Sequence, residues 1–205
     1  MSFYHRHVLP HVINLACGTK PVMRQRARIV PSAEGRVLEI GIGSGLNLPF
    51  YDSSRVRELV GLEPGSEIRR MAEHKAQGLP MPTRFLDAGA EAIPLEDGSI
   101  DTVVITYTLC TVPQAERAVR EMRRVLNPKG RLLFSEHGLA PDRGVQKWQD
   151  RLNPLWKVIG GGCHLNRDIK TLIESGGFQI ETVDTGYLPG PKPMTFNYLG
   201  SARPT

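Results

Sequence analysis

The order of residues predicts a doubly wound α/β fold built on a mostly parallel, seven-stranded sheet. Three observations carry that expectation. From residue 36 onward, short β-branched runs alternate with longer helical patterns, as chains of βαβ units do. The first such run feeds a loop with glycine at every second position. The last two runs are separated by only a short proline- and glycine-rich segment, which joins antiparallel neighbours, whereas parallel ones need a crossover.

Five strands are expected first, at Arg36–Ile40, Glu58–Glu63, Arg84–Leu86, Ile100–Tyr107 and Gly130–Glu136. Several are continuous apolar runs, as strands covered on both faces should be. The clearest helix is Pro113–Leu126, where Ala115, Ala118, Val119, Met122, Val125 and Leu126 fall on one face. A shorter helix is expected at Arg167–Ser175, capped by Asn166 and closed by Gly176. Phe178–Tyr187 and Met194–Ala202 then form a C-terminal antiparallel hairpin around Leu188–Pro193. Ahead of the first strand, Tyr4–Ala16 and Pro21–Ile29 read as helices and lid candidates. Residues 1–35 are therefore assigned to a lid and 36–205 to the binding domain proper, within one folding unit.

Composition narrows the function classes. With 40% hydrophobic and 23% charged residues among 205, the chain is ordinary globular material for one domain. No run approaches the ~20 apolar residues of a membrane span, and the first ten lack the pattern of a secretory signal. Cys17, Cys110 and Cys163 suggest no disulfide framework, so a cytoplasmic setting is expected. The net charge is +5, and residues 1–35 carry five basic residues against Glu34 alone. That face leaves a peripheral membrane contact open. No basic stripe interleaved with aromatics points to nucleic acid, and no obligate protein partner is expected.

The segment Val37–Gly45 is the most informative. A buried strand runs straight into Gly41, Gly43 and Gly45, where the chain must turn sharply or let a ligand lie against its backbone. A tight turn alone would explain the glycines. Glu63 changes the balance, because it ends the next strand ~20 residues on, where a carboxylate can take hydrogen bonds from ribose hydroxyls. A dinucleotide fingerprint would place its third glycine at Leu46, and Pro49 interrupts the helix start a pyrophosphate prefers. A nucleoside without phosphates fits better than a nicotinamide cofactor.

Glu39, Gly41, Gly43 and Gly45 resemble the E/D-x-G-x-G-x-G motif of the Rossmann-like class I methyltransferases that use S-adenosyl-L-methionine. Ala90–Asp101 and Glu121–Gly130 are similar to segments of the methyltransferase-11 and ubiquinone-methyltransferase type. The resemblance implies cofactor contacts at Glu39, Gly41, Gly43, Gly45, Asn47, Glu63, Pro64, Ala90, Glu91 and Thr106. It also implies an aspartate toward the adenine amino group, but Gly89 stands there, leaving Asp87, Glu91 or water to take that role. Asn47–Tyr51, Leu109–Val112 and Gly162, Cys163, Leu165, Arg167 and Asp168 look like the small methyltransferase-like thiol methyltransferases. Those relatives carry a hydrophobic anchor where this chain has a helix-like start with several histidines.

Ligands of open α/β sheets lie across the carboxyl ends of the strands, which selects Thr106, Tyr107, Cys110, Glu136 and His137. His137 is the first candidate general base, with Glu136 as its orienter, against the bland alternative of an imidazole satisfied by a backbone carbonyl. His164 is the second. Gly160–Gly162 reads as a loop able to close over substrate, or simply as a turn, and Trp148 and Trp156 are expected to pack. His5, His7, His11 and Cys17 lack the converging set a zinc site requires, so no metal is expected. The leading reading is methyl transfer to a small acceptor, whether thiol, amine, hydroxyl or lipid headgroup. A non-catalytic RNA- or protein-binding module on the same fold is the alternative, and an NAD-dependent oxidoreductase is third.

Overall fold

The computed structural model describes residues 9–205, so His5 and His7 lie outside the described residues. Seven strands form one sheet: β1 (Gly35–Ile40), β2 (Val56–Leu62), β3 (Thr83–Leu86), β4 (Ile100–Thr106), β5 (Leu126–His137), β6 (Phe178–Tyr187) and β7 (Phe196–Pro204). Their order is β3-β2-β1-β4-β5-β7-β6. The first five are parallel, while β7 runs antiparallel to both β5 and β6. The hairpin is thus confirmed, with its second strand inside and its first at the edge.

Helices cover both faces. α4 (Ala115–Val125) lies on one, and its stripe of Ala115, Ala118, Val119, Met122 and Val125 is buried as its periodicity requires. Burying Val119, Met122 and Val125 is worth roughly 1.5–3 kcal/mol each. α6 (Ile169–Ser175) packs beside it, and Ile169, Leu172 and Ile173 join the same core. Its cap is Asp168, whose side chain accepts from the Thr171 amide, rather than Asn166, which donates to Asp150. Asp168 is one residue ahead of the first helical turn, where a carboxylate can reach that amide.

The opposite face carries α2 (Lys20–Ile29) and α3 (Ser66–Ala76), over a core that includes Ile29, Leu59, Ala72 and Val104. The sequence reading did not single out α3; its apolar positions Ile68, Met71 and Ala72 are few and are diluted by charge. The glycine loop is followed not by a helix but by a single 3-10 turn at Leu48–Phe50, with Pro49 inside it. α1 (Leu9–Cys17) and α5 (Arg143–Ile159) flank the carboxyl ends of the strands, and a short α7 (Lys192–Thr195) precedes β7. No helix of the described residues is long and apolar enough to cross a membrane.

Candidate active site

Three hollows meet at the carboxyl edge of β1, β2, β4 and β5. The first, of about 170 Å³, is lined by Leu62, Glu63, Pro64, Ala90, Glu91 and Thr108 among others. The second, of about 230 Å³, continues from it past Gly41, Gly43, Glu63, Arg26 and Thr106 to Tyr107. The third, of about 320 Å³, is mostly apolar and shares Ile13, Cys17, Tyr107 and Thr111 with the second. A larger open hollow of about 550 Å³ sits at the amino ends of the strands, around Arg57, Asp101 and Lys129. It is open to solvent and lies on the end of the sheet where α/β folds do not place ligands.

The glycine loop has the conformation its composition demands. Gly41, Gly43 and Gly45 all take positive φ, at 65°, 55° and 75°, where a β-carbon is strained. A side chain at Gly41 would also strike Thr108, whereas one at Gly43 would project into the second hollow toward Ile68. Gly43 thus keeps a cradle open for a ligand lying on the backbone, whereas Gly45 lines none of the three hollows and is needed for close packing against Leu48 and Ala72. Glu63 closes the cradle. Its carboxylate accepts from the Gly43 amide at 3.2 Å and the Gly65 amide at 2.8 Å, tying loop to strand end. Burial pushes its carboxyl upward, opposed by those two amides and by Arg69.

Glu39 and Asn47 lie behind the cradle and line none of these hollows. Glu39 accepts from Asn47 Nδ2 at 2.9 Å and from the Tyr51 hydroxyl at 2.7 Å, and burial raises its carboxyl to about 7. Asn47 also accepts from Arg26 at 2.8 Å, and Arg26 reaches Thr106 at 2.5 Å. Arg26 is 5% exposed and lines the second hollow, yet its Nε has no partner among the described residues. A buried cation with an unused donor beside a cavity suits an anionic ligand group. Glu91, and not Asp87, lines the first hollow; Asp87 pairs with Arg69 at 3.0 Å. Arg124 pins the preceding loop by donating to the carbonyls of Ile93 and Leu95.

Tyr107, just past β4, is the wall between the second and third hollows. It is the one non-glycine residue with a left-handed φ among those described, at 52°. Its hydroxyl donates to Asn197 Oδ1 at 2.8 Å, and the Arg26 guanidinium lies 5.2 Å from its ring centroid. Such strain persists only where surroundings over-determine it, and it is concentrated at functional sites.

The wall of the third hollow holds Cys110, His137 and Cys163, whose ligand atoms all lie within 4.8 Å of one another. His137 Nε2 is 3.2 Å from Cys163 Sγ, so the imidazole faces a sulfur and not a backbone carbonyl. Trp156 Nε1 donates to the same sulfur at 3.3 Å. The Cys110 thiol, the His137 imidazole and the Trp156 N–H hold Cys163 below the ordinary thiol range. Burial pushes His137 down, but the Cys163 sulfur and Glu136 more than offset this and leave it raised. Glu136 does not orient His137 through a hydrogen bond: its Oε1 accepts from the Thr108 and Leu109 amides at 2.8 and 3.1 Å. It fixes the turn that presents Cys110.

Several expectations change here. Trp156 lines the apolar hollow, while Trp148 is 55% exposed beside Arg151 and packs in no core. His164 lines none of the three hollows, although its amide donates to the Cys110 carbonyl at 2.9 Å. Gly160 faces the third hollow and Gly161 the second, so that loop spans both. The role of Cys163 beside His137 was out of reach of sequence reasoning, since 26 residues separate them.

A family model described as a methyltransferase domain matches residues 38–134, the stretch from β1 through β5 that builds the cradle. Thiol S-methyltransferase TMT1B of Rattus norvegicus is 39% identical over 166 residues, 78% of this chain and 66% of that protein. Residues 38–134 thus carry a methyltransferase domain. Phosphatidylethanolamine N-methyltransferase of Cereibacter sphaeroides is 36% identical to this chain over 123 residues, 59% of each chain. A solved SAM-dependent methyltransferase from Thermotoga maritima shares the fold, with TM-score 0.67 at 21% identity, covering 98% of this chain and 97% of that one. The chain spans just under two-thirds of the length of the thiol S-methyltransferases it matches.

The residues present fit S-adenosyl-L-methionine, the cofactor of this family. The open cradle at Gly43, the Glu63 carboxylate and the unused Nε of the buried Arg26 supply a nucleoside surface, a hydroxyl acceptor and a cation in one groove. That donor set matches a nucleoside bearing a carboxylate and no phosphate.

Proposed function

We propose that this methyltransferase transfers a methyl group to a small lipophilic thiol. The observation that carries the reading is the meeting of the groove at Tyr107 with an apolar hollow whose wall holds a cysteine–histidine–cysteine cluster. In support, the thiol S-methyltransferases of rat, human and mouse match the chain at 34–39% identity.

Glu63 would hold the ribose, Ala90 and Glu91 the adenine end, and Arg26 the carboxylate. When bound, the cofactor supplies a sulfonium methyl with a good leaving group, so positioning accounts for most of the acceleration. The residues of the chain do the rest. Val12, Ile13 and Ala16 of α1 and Leu165 and Met194 opposite exclude water and hold the apolar body of the acceptor. His137, at the end of β5 and lining this hollow, would take the proton of the acceptor sulfur, since a thiolate and not a thiol is the nucleophile. Tyr107 fixes the distance between the two ligands from its strained position between them.

The test is turnover on a panel of lipophilic thiols, amines and phenols, read as S-adenosylhomocysteine formed. Turnover confined to thiols supports the reading. Turnover on amines or phenols with none on thiols contradicts it.

A further inference from the structure

The Cys110, His137 and Cys163 cluster has a property that proton transfer alone does not require. Two sulfurs and one imidazole nitrogen converge within 4.8 Å, and all three residues face a single cavity. With metal–sulfur bonds near ~2.3 Å and metal–nitrogen bonds near ~2.0 Å, a tetrahedral ion sets its ligand atoms roughly 3.5–4 Å apart. The observed 3.2 Å between His137 Nε2 and Cys163 Sγ is within a small relaxation of that spacing.

The cluster is also held from outside. The turn carrying Cys110 is fixed by the Glu136 carboxylate and by Arg167, which donates to the carbonyls of Leu109 and Val112. The His164 amide ties the Cys163 loop to the Cys110 carbonyl at 2.9 Å. His137 closes β5, whose pairing with β7 extends through His137 and Asn197. Trp156 Nε1 donates to Cys163 Sγ, the outer contact that commonly accompanies a bound thiolate. Three ligands from three separate elements, each braced, with one face toward a cavity, is the arrangement of a site that keeps a position for substrate.

We propose that Cys110, His137 and Cys163 bind a thiophilic divalent cation, with zinc the best match, and that the acceptor sulfur fills the fourth position. Two thiolates and an imidazole select a soft or borderline ion over magnesium or calcium, which take oxygen ligands. The identity of the fourth ligand rests on the thiol reading above; the three-residue site does not. On binding, the S–H bond of the acceptor breaks, a metal–sulfur bond forms and the proton passes to solvent, so the sulfur arrives as a thiolate. In the loaded chain His137 serves as a ligand and the cation takes over the activation that the imidazole would otherwise provide.

The experiment uses the full chain, free of any histidine tag, loaded with zinc chloride under reducing conditions and desalted, with metal measured by atomic emission. One zinc per chain is expected. Cys110→Ser and Cys163→Ser should each weaken zinc binding by more than about 100-fold, beyond the cost of losing an outer-shell partner. Cys17→Ser should retain the metal. Unchanged affinity for S-adenosylhomocysteine would show that the variants are folded. Should they not fold, the cobalt-loaded parent chain decides: thiolate-to-cobalt charge-transfer bands support the site, and their absence overturns it. Zinc content equal in parent and cysteine variants also overturns it. A cobalt spectrum that shifts when a thiol acceptor is added supports the fourth ligand. Bound metal with a spectrum indifferent to thiol leaves the three-residue site standing and overturns the fourth ligand, whereas full thiol turnover in a metal-free chain supports the thiol reading and overturns activation by the cation.

Discussion

Glu63 works on both sides of the cradle, because the residue that holds the Gly43 and Gly65 amides also lines the groove. Replacing it with alanine removes a charge-assisted acceptor worth about 1.5–3 kcal/mol. Glu63→Ala should therefore weaken S-adenosylhomocysteine binding by roughly 10- to 150-fold in calorimetry. Glu63→Gln, which keeps one acceptor oxygen, should lose less. Glu39 makes a different prediction. Its carboxyl is raised from 4.5 to about 7 by burial, against the opposing pull of the Tyr51 hydroxyl, Arg26 and Asn47. A raised carboxyl favours the folded state when protonated, so that contribution is complete below the unfolded value and lost as pH rises through about 7. Stability measured by urea unfolding should fall between pH 4.5 and 7, on the order of 3 kcal/mol if this group acts alone. Glu39→Gln should flatten the slope in that window, and an unchanged slope would show that Glu39 does not carry it.

The helix α1 lays Val12, Ile13, Ala16 and Cys17 along the apolar hollow, of which Ile13 and Cys17 also border the groove. Ala16 borders the acceptor hollow alone, so Ala16→Phe should raise the KM for a lipophilic acceptor by about ten-fold or more. Cofactor affinity should stay within two- to three-fold, roughly the scatter of distant sites. The glycine loop should respond differently. Gly41→Ala places a β-carbon at positive φ against Thr108, and should cost roughly 1–3 kcal/mol in thermal stability. These elements were legible in the sequence to different degrees. α4 was clear because its apolar residues recur at the helical period and are buried in the structure. β6 matched the run of residues from Phe178 to Tyr187, bounded by glycines and prolines. By contrast, α3 was hidden because it exposes charge on most of its turns and rests on the sheet through few apolar contacts. The cap of α6 was misplaced by two residues, since Asn166 and Asp168 are both competent caps and only tertiary pairing of Asn166 with Asp150 decides between them.

Across the molecule, what the sequence could supply was the local half of the site. Gly41, Gly43, Gly45 and Glu63 are close enough in the chain for their spacing to state a purpose, and Gly41, Gly43 and Glu63 border one groove, while Gly45 packs behind it against Leu48 and Ala72. The other half is assembled from afar. Arg26 meets Asn47 and Thr106 across 21 and 80 residues, and Tyr107 meets Asn197 across 90. No periodicity records such pairs, because they exist only after β7 has inserted beside β5 and α2 has closed over the sheet. The same holds for Cys110, His137 and Cys163, one from the turn after β4, one from the last position of β5 and one from the loop after α5, which converge at one edge. The arrangement makes the sheet the ruler of the reaction. On the proposed reading the groove would hold the nucleoside and the apolar hollow the acceptor, with the strained Tyr107 between them.

That claim is tested most directly by a crystal structure of the chain with S-adenosylhomocysteine bound. The ribose hydroxyls should lie within hydrogen-bonding distance of Glu63, the adenine should sit between Pro64 and Ala90, and the sulfur should point past Tyr107 into the apolar hollow. A nucleoside bound elsewhere, or a sulfur turned away from that hollow, would contradict the account.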